Sequence, residues 1–150
     1  MLDQPVPDFS LPSTGGTFSL AGHRGTSLVI YFYPKDNTPG CTTEAQQFRD
    51  LDAEFRKHSC AVFGISRDSL KSHENFKAKF ELPFELLVDA EETACAIFDV
   101  IKMKNMYGKQ VRGIERSTFL IDASGVLRRQ WRGVKVPGHA AEVLEAVKSL

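Results

Sequence analysis

The chain has 150 residues, of which 19 are basic and 19 acidic, so it carries no formal net charge, and 42% are hydrophobic. That length corresponds to one domain, 1–150, able to bury roughly 70% of the surface its unfolded form exposes. The charge balance argues against a nucleic acid, an anionic membrane or a polyanion as partner. The apolar runs are too short to cross a bilayer. MLDQPVPDFS has neither the basic segment nor the apolar core of a secretory signal, so a cytoplasmic address is expected.

Residues 9–11 and 17–20 flank a Ser-Thr-Gly-Gly turn and read as a small N-terminal hairpin. Residues 28–33 form a continuous apolar, β-branched and aromatic run, expected of a central strand covered on both faces. Residues 42–58 then carry Ala45, Phe48, Leu51 and Phe55 at helical spacing, so this helix turns one face to the sheet. Cys60–Ser66 is the next buried strand, and Asp68 or Ser69 caps a helix running to about Phe80. Residues 84–88 read as a strand and 91–98 as a short helix. Residues 102–113 read as an irregular loop or protruding hairpin. Ser117–Ile121 and 126–131 are strands about an Asp-Ala-Ser-Gly turn, and 140–149 is a closing helix. This alternation predicts an α/β domain around a central sheet.

The three cysteines, Cys41, Cys60 and Cys95, form no C-x-x-C pair. They also form no metal-type cluster with His23, His58, His73 and His139, so neither metal nor cofactor is expected. An odd count in a reducing compartment argues against a disulfide framework, and the question becomes which thiol is reactive. In YFYPKDNTPGCTTE an apolar strand runs into a Pro/Gly turn that delivers Cys41 to a helix start. There the free N–H groups and the helix dipole stabilise negative charge on sulfur, and Thr38 adds a hydroxyl donor. Glu44 falls in the first turn of the same helix, where a carboxylate suits the dipole. Cys60 opens a buried strand, and Cys95 sits beside Ala94 at the edge of a helix's apolar face; both read as packed core. Tyr33 and Phe32 read as strand core, and Trp131 and the histidines carry no separate signal.

Pro34, Thr38 and Cys41 stand in the order and spacing of the peroxiredoxin active-site signature. The wider wording, YPKDNTPGCTTEAQQFRDL followed by NMYGKQVRGIERSTFLID, resembles the bacterioferritin-comigratory-protein subfamily, also called peroxiredoxin Q, over nearly the whole chain. The resemblance implies a thioredoxin-like fold, a central mixed sheet flanked by helices with an N-terminal β-hairpin extension. It also implies a thiol-dependent peroxidase acting on hydrogen peroxide and organic hydroperoxides. By the same resemblance Cys41 attacks the peroxide, Thr38 and Arg116 donate to its oxygens, Pro34 shields the sulfur, Glu44 supports that network, and the protein is a monomer.

The chain departs from its relatives at the second cysteine. The subfamily's two usual resolving positions are occupied by Gln46 and Lys77. The expectation is therefore a one-cysteine cycle, in which an external thiol of thioredoxin, glutaredoxin or glutathione type attacks the oxidised Cys41. The alternatives are a two-cysteine peroxidase with Cys95 as resolver, and a redox-sensing or thiol-disulfide exchange module using Cys41. Exchange would want a second cysteine beside the first, and C-T-T-E supplies none.

Overall fold

The structure, a computed structural model, describes residues 1–150. Seven strands form one mixed sheet: β1 (Ser10–Ser13), β2 (Gly16–Ser19), β3 (Ser27–Phe32), β4 (Cys60–Ser66), β5 (Glu85–Val88), β8 (Ser117–Ile121) and β9 (Leu127–Arg132), in the order β2-β1-β5-β4-β3-β8-β9. β3, β4 and β5 run parallel, while β8 pairs antiparallel with β3 and β9 with β8. The helices are α1 (Pro39–Lys57), α2 (Leu70–Phe80), α3 (Thr93–Phe98) and α4 (His139–Lys148), and a short 3-10 turn spans Ala21–His23. This is the helix-flanked mixed sheet of the thioredoxin-like fold. The N-terminal hairpin is integral to it, because β1 pairs with β5 and lengthens the main sheet. No helix is long and apolar enough to cross a membrane.

Alternation along β3 divides the interior. Leu28, Ile30 and Phe32 point into one core with α3, Val6, Phe9 and the hairpin residues Leu11 and Phe18. Val29, Tyr31 and Tyr33 point into the other, with α1, α4 and Phe76 of α2. The two cores together leave β3 with almost no exposed side chain, as its uninterrupted apolar sequence requires. Gly64 on the neighbouring strand matters here: a Cβ would lie 2.9 Å from the Tyr31 ring, so glycine lets that ring lie across β4 and stack on Phe48 at 4.7 Å.

The segment left between loop and hairpin by sequence is a hairpin, β6 (Ile101–Met106) and β7 (Lys109–Ile114), standing off the main sheet. Tyr107 and Gly108 make its turn with positive φ, 54° and 78°. A type I′ turn, whose twist matches that of the flanking strands, needs that conformation at both central positions. The helix carrying Cys41 begins at Pro39, three residues before the expected start at Thr42. Proline is well suited to the first helical position, where its missing N–H would have had no partner.

Candidate active site

α1 follows directly from the end of β3. Tyr33 still bonds Ile65 through its N–H (3.0 Å), and Pro34, half-buried, has no N–H with which to extend the ladder. The chain turns over Asn37, whose φ is 61°, and reaches Thr38 as the residue preceding α1. The first helical bond is Thr42 N–H to Thr38 carbonyl (2.9 Å), and the Thr38 side chain makes no capping bond. The Gly40 and Cys41 N–H groups therefore lack intrahelical acceptors and form an anion-stabilising end. Cys41 is the third residue of α1 and only 2% exposed.

Arg116, just before β8, reaches across from the antiparallel neighbour of β3. Its Nη2 lies 3.4 Å from Cys41 Sγ, and its Nη1 donates to Glu44 Oε1 at 2.6 Å. Gly40 makes room for this approach, since a Cβ there would sit 3.3 Å from Nη2. Glu44 lies in the second turn of α1, because the helix starts earlier than expected, and it faces inward at 1% exposure. Burial pushes its carboxyl up to about 7, against the pull of the Arg116 charge. Its Oε2 has no partner, and neither has the buried Tyr31 hydroxyl. Burial, and after it the Glu44 charge, raise the Tyr31 phenol well above its ordinary value.

Thus Cys41, Arg116 and Glu44 converge. Thr38 is adjacent, but its hydroxyl donates to the Lys35 carbonyl (2.8 Å) rather than to sulfur. Cys95 is not brought near. It lies in the core on the opposite face of the sheet from Cys41, and all three thiols are free. Cys60 shares the Cys41 face, but it pairs with Ser27 at the far end of β3, roughly 17 Å of strand away. Burial pushes the Cys60 thiol up to about 12. Gln46 is half-buried on α1, and Lys77 is tied to Glu85 at 2.6 Å.

One group escaped sequence reasoning. Asp36, in the loop before α1, accepts from the Tyr33 hydroxyl (2.6 Å) and the Ser72 hydroxyl (2.8 Å), and lies 2.7 Å from His73 Nδ1. His73 is fully buried, with Nε2 2.9 Å from the Leu87 carbonyl oxygen. Burial works against the Asp36 charge, yet the bonds from His73 and Tyr33 win and hold its carboxyl below the ordinary value. The Asp36 N–H donates to Asp68 (2.9 Å), so α2 and the end of β4 clamp the loop that presents Cys41. Asp36, Asp68 and His73 bring ligand-type atoms within 4.8 Å of one another, but these hydrogen bonds already occupy them, which fits a clamp better than an ion site. The available signal was the spacing of His73 with Phe76 and Phe80 on the apolar face of α2. The largest cleft, about 370 Å³ between Asn37, Ser69, Asn75 and Lys79, opens beside this clamp and is not lined by Cys41.

The AhpC/TSA family model matches residues 2–130. Peroxiredoxin Bcp of Xanthomonas campestris is 55% identical, with 99% of this chain and 95% of that protein covered. Peroxiredoxin Bcp of Bacillus subtilis is 48% identical over 99% and 96%. Among solved structures, Xanthomonas campestris peroxiredoxin Q superposes with a TM-score of 0.90 at 55% identity, covering 94% of this chain and 90% of that one. Another structure of that organism's bacterioferritin comigratory protein is described in terms of alkyl peroxide reduction. Two further structures of the Xanthomonas protein carry cysteine-to-serine changes at positions 48 and 84 of that chain, 36 residues apart.

Proposed function

Because the chain belongs to the AhpC/TSA family and is a peroxiredoxin, a thiol-dependent peroxidase, we propose that Cys41 is its peroxide-attacking residue and that the cycle uses this cysteine alone. The observation that carries the reading is the convergence of Arg116 on Cys41 Sγ at a helix end with two unbonded N–H groups.

The Cys41 thiolate attacks one oxygen of the hydroperoxide. A sulfur–oxygen bond forms, the O–O bond breaks, and the departing oxygen takes up a proton to leave as water or an alcohol. Sulfur ends as sulfenic acid. Negative charge leaves sulfur and builds on the departing oxygen, so fixed donors must serve both atoms. Arg116 and the Cys41 N–H are aimed at this space, and Thr38 joins them by turning its proton from the Lys35 carbonyl to the peroxide. Arg116 suits the task because its planar fork binds Glu44 with one nitrogen and leaves the other for the reacting atoms. Glu44 is a positioning residue, and Pro34 screens the sulfur from water.

For recycling, an external thiol attacks the sulfenic sulfur, forming a mixed disulfide and releasing water; a second thiol then frees Cys41. Three observations support this. Cys95 lies across the sheet, Cys60 at its other end, and 36 residues after Cys41 this chain carries Lys77. The reductant is a thioredoxin-, glutaredoxin- or glutathione-type thiol. The substrates are hydrogen peroxide and organic hydroperoxides, the latter in keeping with the alkyl peroxide work on the Xanthomonas relative. The protein acts as a single-domain monomer in the reducing cytoplasm, which suits three free cysteines.

Intact-mass measurement after one equivalent of peroxide tests the reading. A gain of one oxygen on Cys41, removed by added thiol with multiple turnovers, is expected. An internal disulfide as the main product would restore a two-cysteine mechanism. Slow, stoichiometric oxidation would instead favour a redox sensor.

A further inference from the structure

The hairpin β6–β7 carries Lys102, Lys104, Lys109 and Arg112 and no acidic residue. Lys102 pairs with Asp99 at 3.2 Å, and Arg112 pairs with Glu92, which also takes Arg67 at 3.0 Å. Lys104 differs, because its ammonium folds to the base of the hairpin and finds only the main-chain carbonyl of Ile114, two residues before Arg116. No carboxylate lies within ion-pair distance of it. A Cβ on Gly113 would sit 3.8 Å from Lys104 Nζ and 3.9 Å from Arg67 Nη2, so the two cations flank one spot over Gly113. Arg67 Nε, in the same guanidinium, is buried without an acceptor. Burial and the nearby Arg116 charge lower the hold of Lys104 on its proton, while Cys41 and Glu115 oppose them. Lys104 thus brings an ammonium with no carboxylate partner to the strand end that carries Arg116, next to an Arg67 guanidinium whose Nη1 holds Glu92 and whose Nε has no acceptor.

We infer that Lys104 and Arg67 bind a carboxylate, the one carried by the external thiol that reduces oxidised Cys41. The inference rests on the external-thiol reading above. The chemistry sets the timing. When the Cys41 thiolate becomes a neutral sulfenic acid, Lys104 and Arg116 lose the anion they shared, just before the thiol must arrive. A carboxylate seated between Lys104 and Arg67 supplies the missing charge and the acceptor for Arg67 Nε. Its sulfur then attacks the Cys41 sulfur, the S–S bond forms, the S–O bond breaks and the hydroxyl leaves as water.

The test compares 3-mercaptopropionate with 2-mercaptoethanol, which differ by the carboxylate, as reductants of peroxide-oxidised protein in the parent and in Lys104→Gln. The parent should favour the carboxylate thiol, and the ratio of the two rates should fall roughly five- to tenfold in Lys104→Gln, recover in Lys104→Arg, and shrink in high salt. An unchanged ratio in a protein whose mass shows the sulfenic acid overturns the carboxylate site alone. An internal disulfide in the same mass measurement overturns the external-thiol reading beneath it. A second arm compares a fatty-acid hydroperoxide with its methyl ester in thiol-free single turnover. A ratio that falls only in this arm would assign the carboxylate to the oxidant and overturn its assignment to the thiol.

Discussion

Cys41 and Cys95 occupy the same station on two helices, the third residue of α1 and of α3, and both are buried. Their neighbours are opposite in charge. Beside Cys41 stand the Arg116 guanidinium and unbonded N–H groups. Beside Cys95 stands Asp89, whose carboxylate takes the N–H groups of Ala94 (3.2 Å) and Cys95 (2.8 Å) and so occupies the α3 end. Burial first, and the Asp89 bond and charge after it, push the Cys95 thiol far up. A helix start therefore does not by itself make a thiol reactive. What matters is whether its amide donors are spent within the fold or left for the sulfur and its substrate.

The largest effect that can break this comparison is at the nucleophile. Cys41→Ser should reduce peroxide turnover by roughly a thousandfold or more, as removal of a nucleophile does elsewhere, while circular dichroism stays unchanged. Turnover near the parent rate would move the chemistry to another thiol.

Arg116→Ala comes next. Loss of one preorganised donor costs roughly a hundredfold or more in rate, so single-turnover reduction of peroxide should slow by that amount. A change of less than about threefold would mean that the charge beside Cys41 does not distinguish it from Cys95.

Glu44→Gln sharpens the contrast through pH. The ordinary value of this carboxyl is 4.5, and in the fold it is about 7. As pH rises between these values the unfolded chain has lost the proton while the folded chain keeps it, so stability falls across this window and levels off above it. The contribution is on the order of 3 kcal/mol. Urea unfolding at pH 5 to 8 should show that decline in the parent and not in the glutamine variant. Parallel profiles would remove Glu44 as its source.

The smallest effects concern Cys95. Since burial outweighs the Asp89 charge, Asp89→Asn should raise Cys95 alkylation by no more than about tenfold and leave Cys41 the faster thiol. Cys95→Ser should keep at least about half of the turnover with a small-thiol reductant. Equal labelling of the two thiols in Asp89→Asn would show that charge alone separates them.

Much of this was legible in the chain. Leu28 through Tyr33 could only be a strand buried on both faces, and the Pro/Gly turn after it brought Cys41 to a helix start. Arg116 was legible only through family resemblance, because an isolated arginine before a strand looks like any surface charge. Asp36 and His73 were missed because they are 37 residues apart and neither is unusual within its own segment.

The sequence by itself determined the order of strands and helices, the hairpin turn and the identity of the candidate nucleophile, because periodicity and turn chemistry are local. Only the tertiary structure decided which charge meets which thiol. The antiparallel pairing of β8 with β3 brings Arg116 to Cys41, and the packing of α3 puts Cys95 on the other face of the sheet. The physical reason is that the field at a buried sulfur is set by groups a few ångströms away in space, and residues 75 apart in the chain become neighbours only when strands pair.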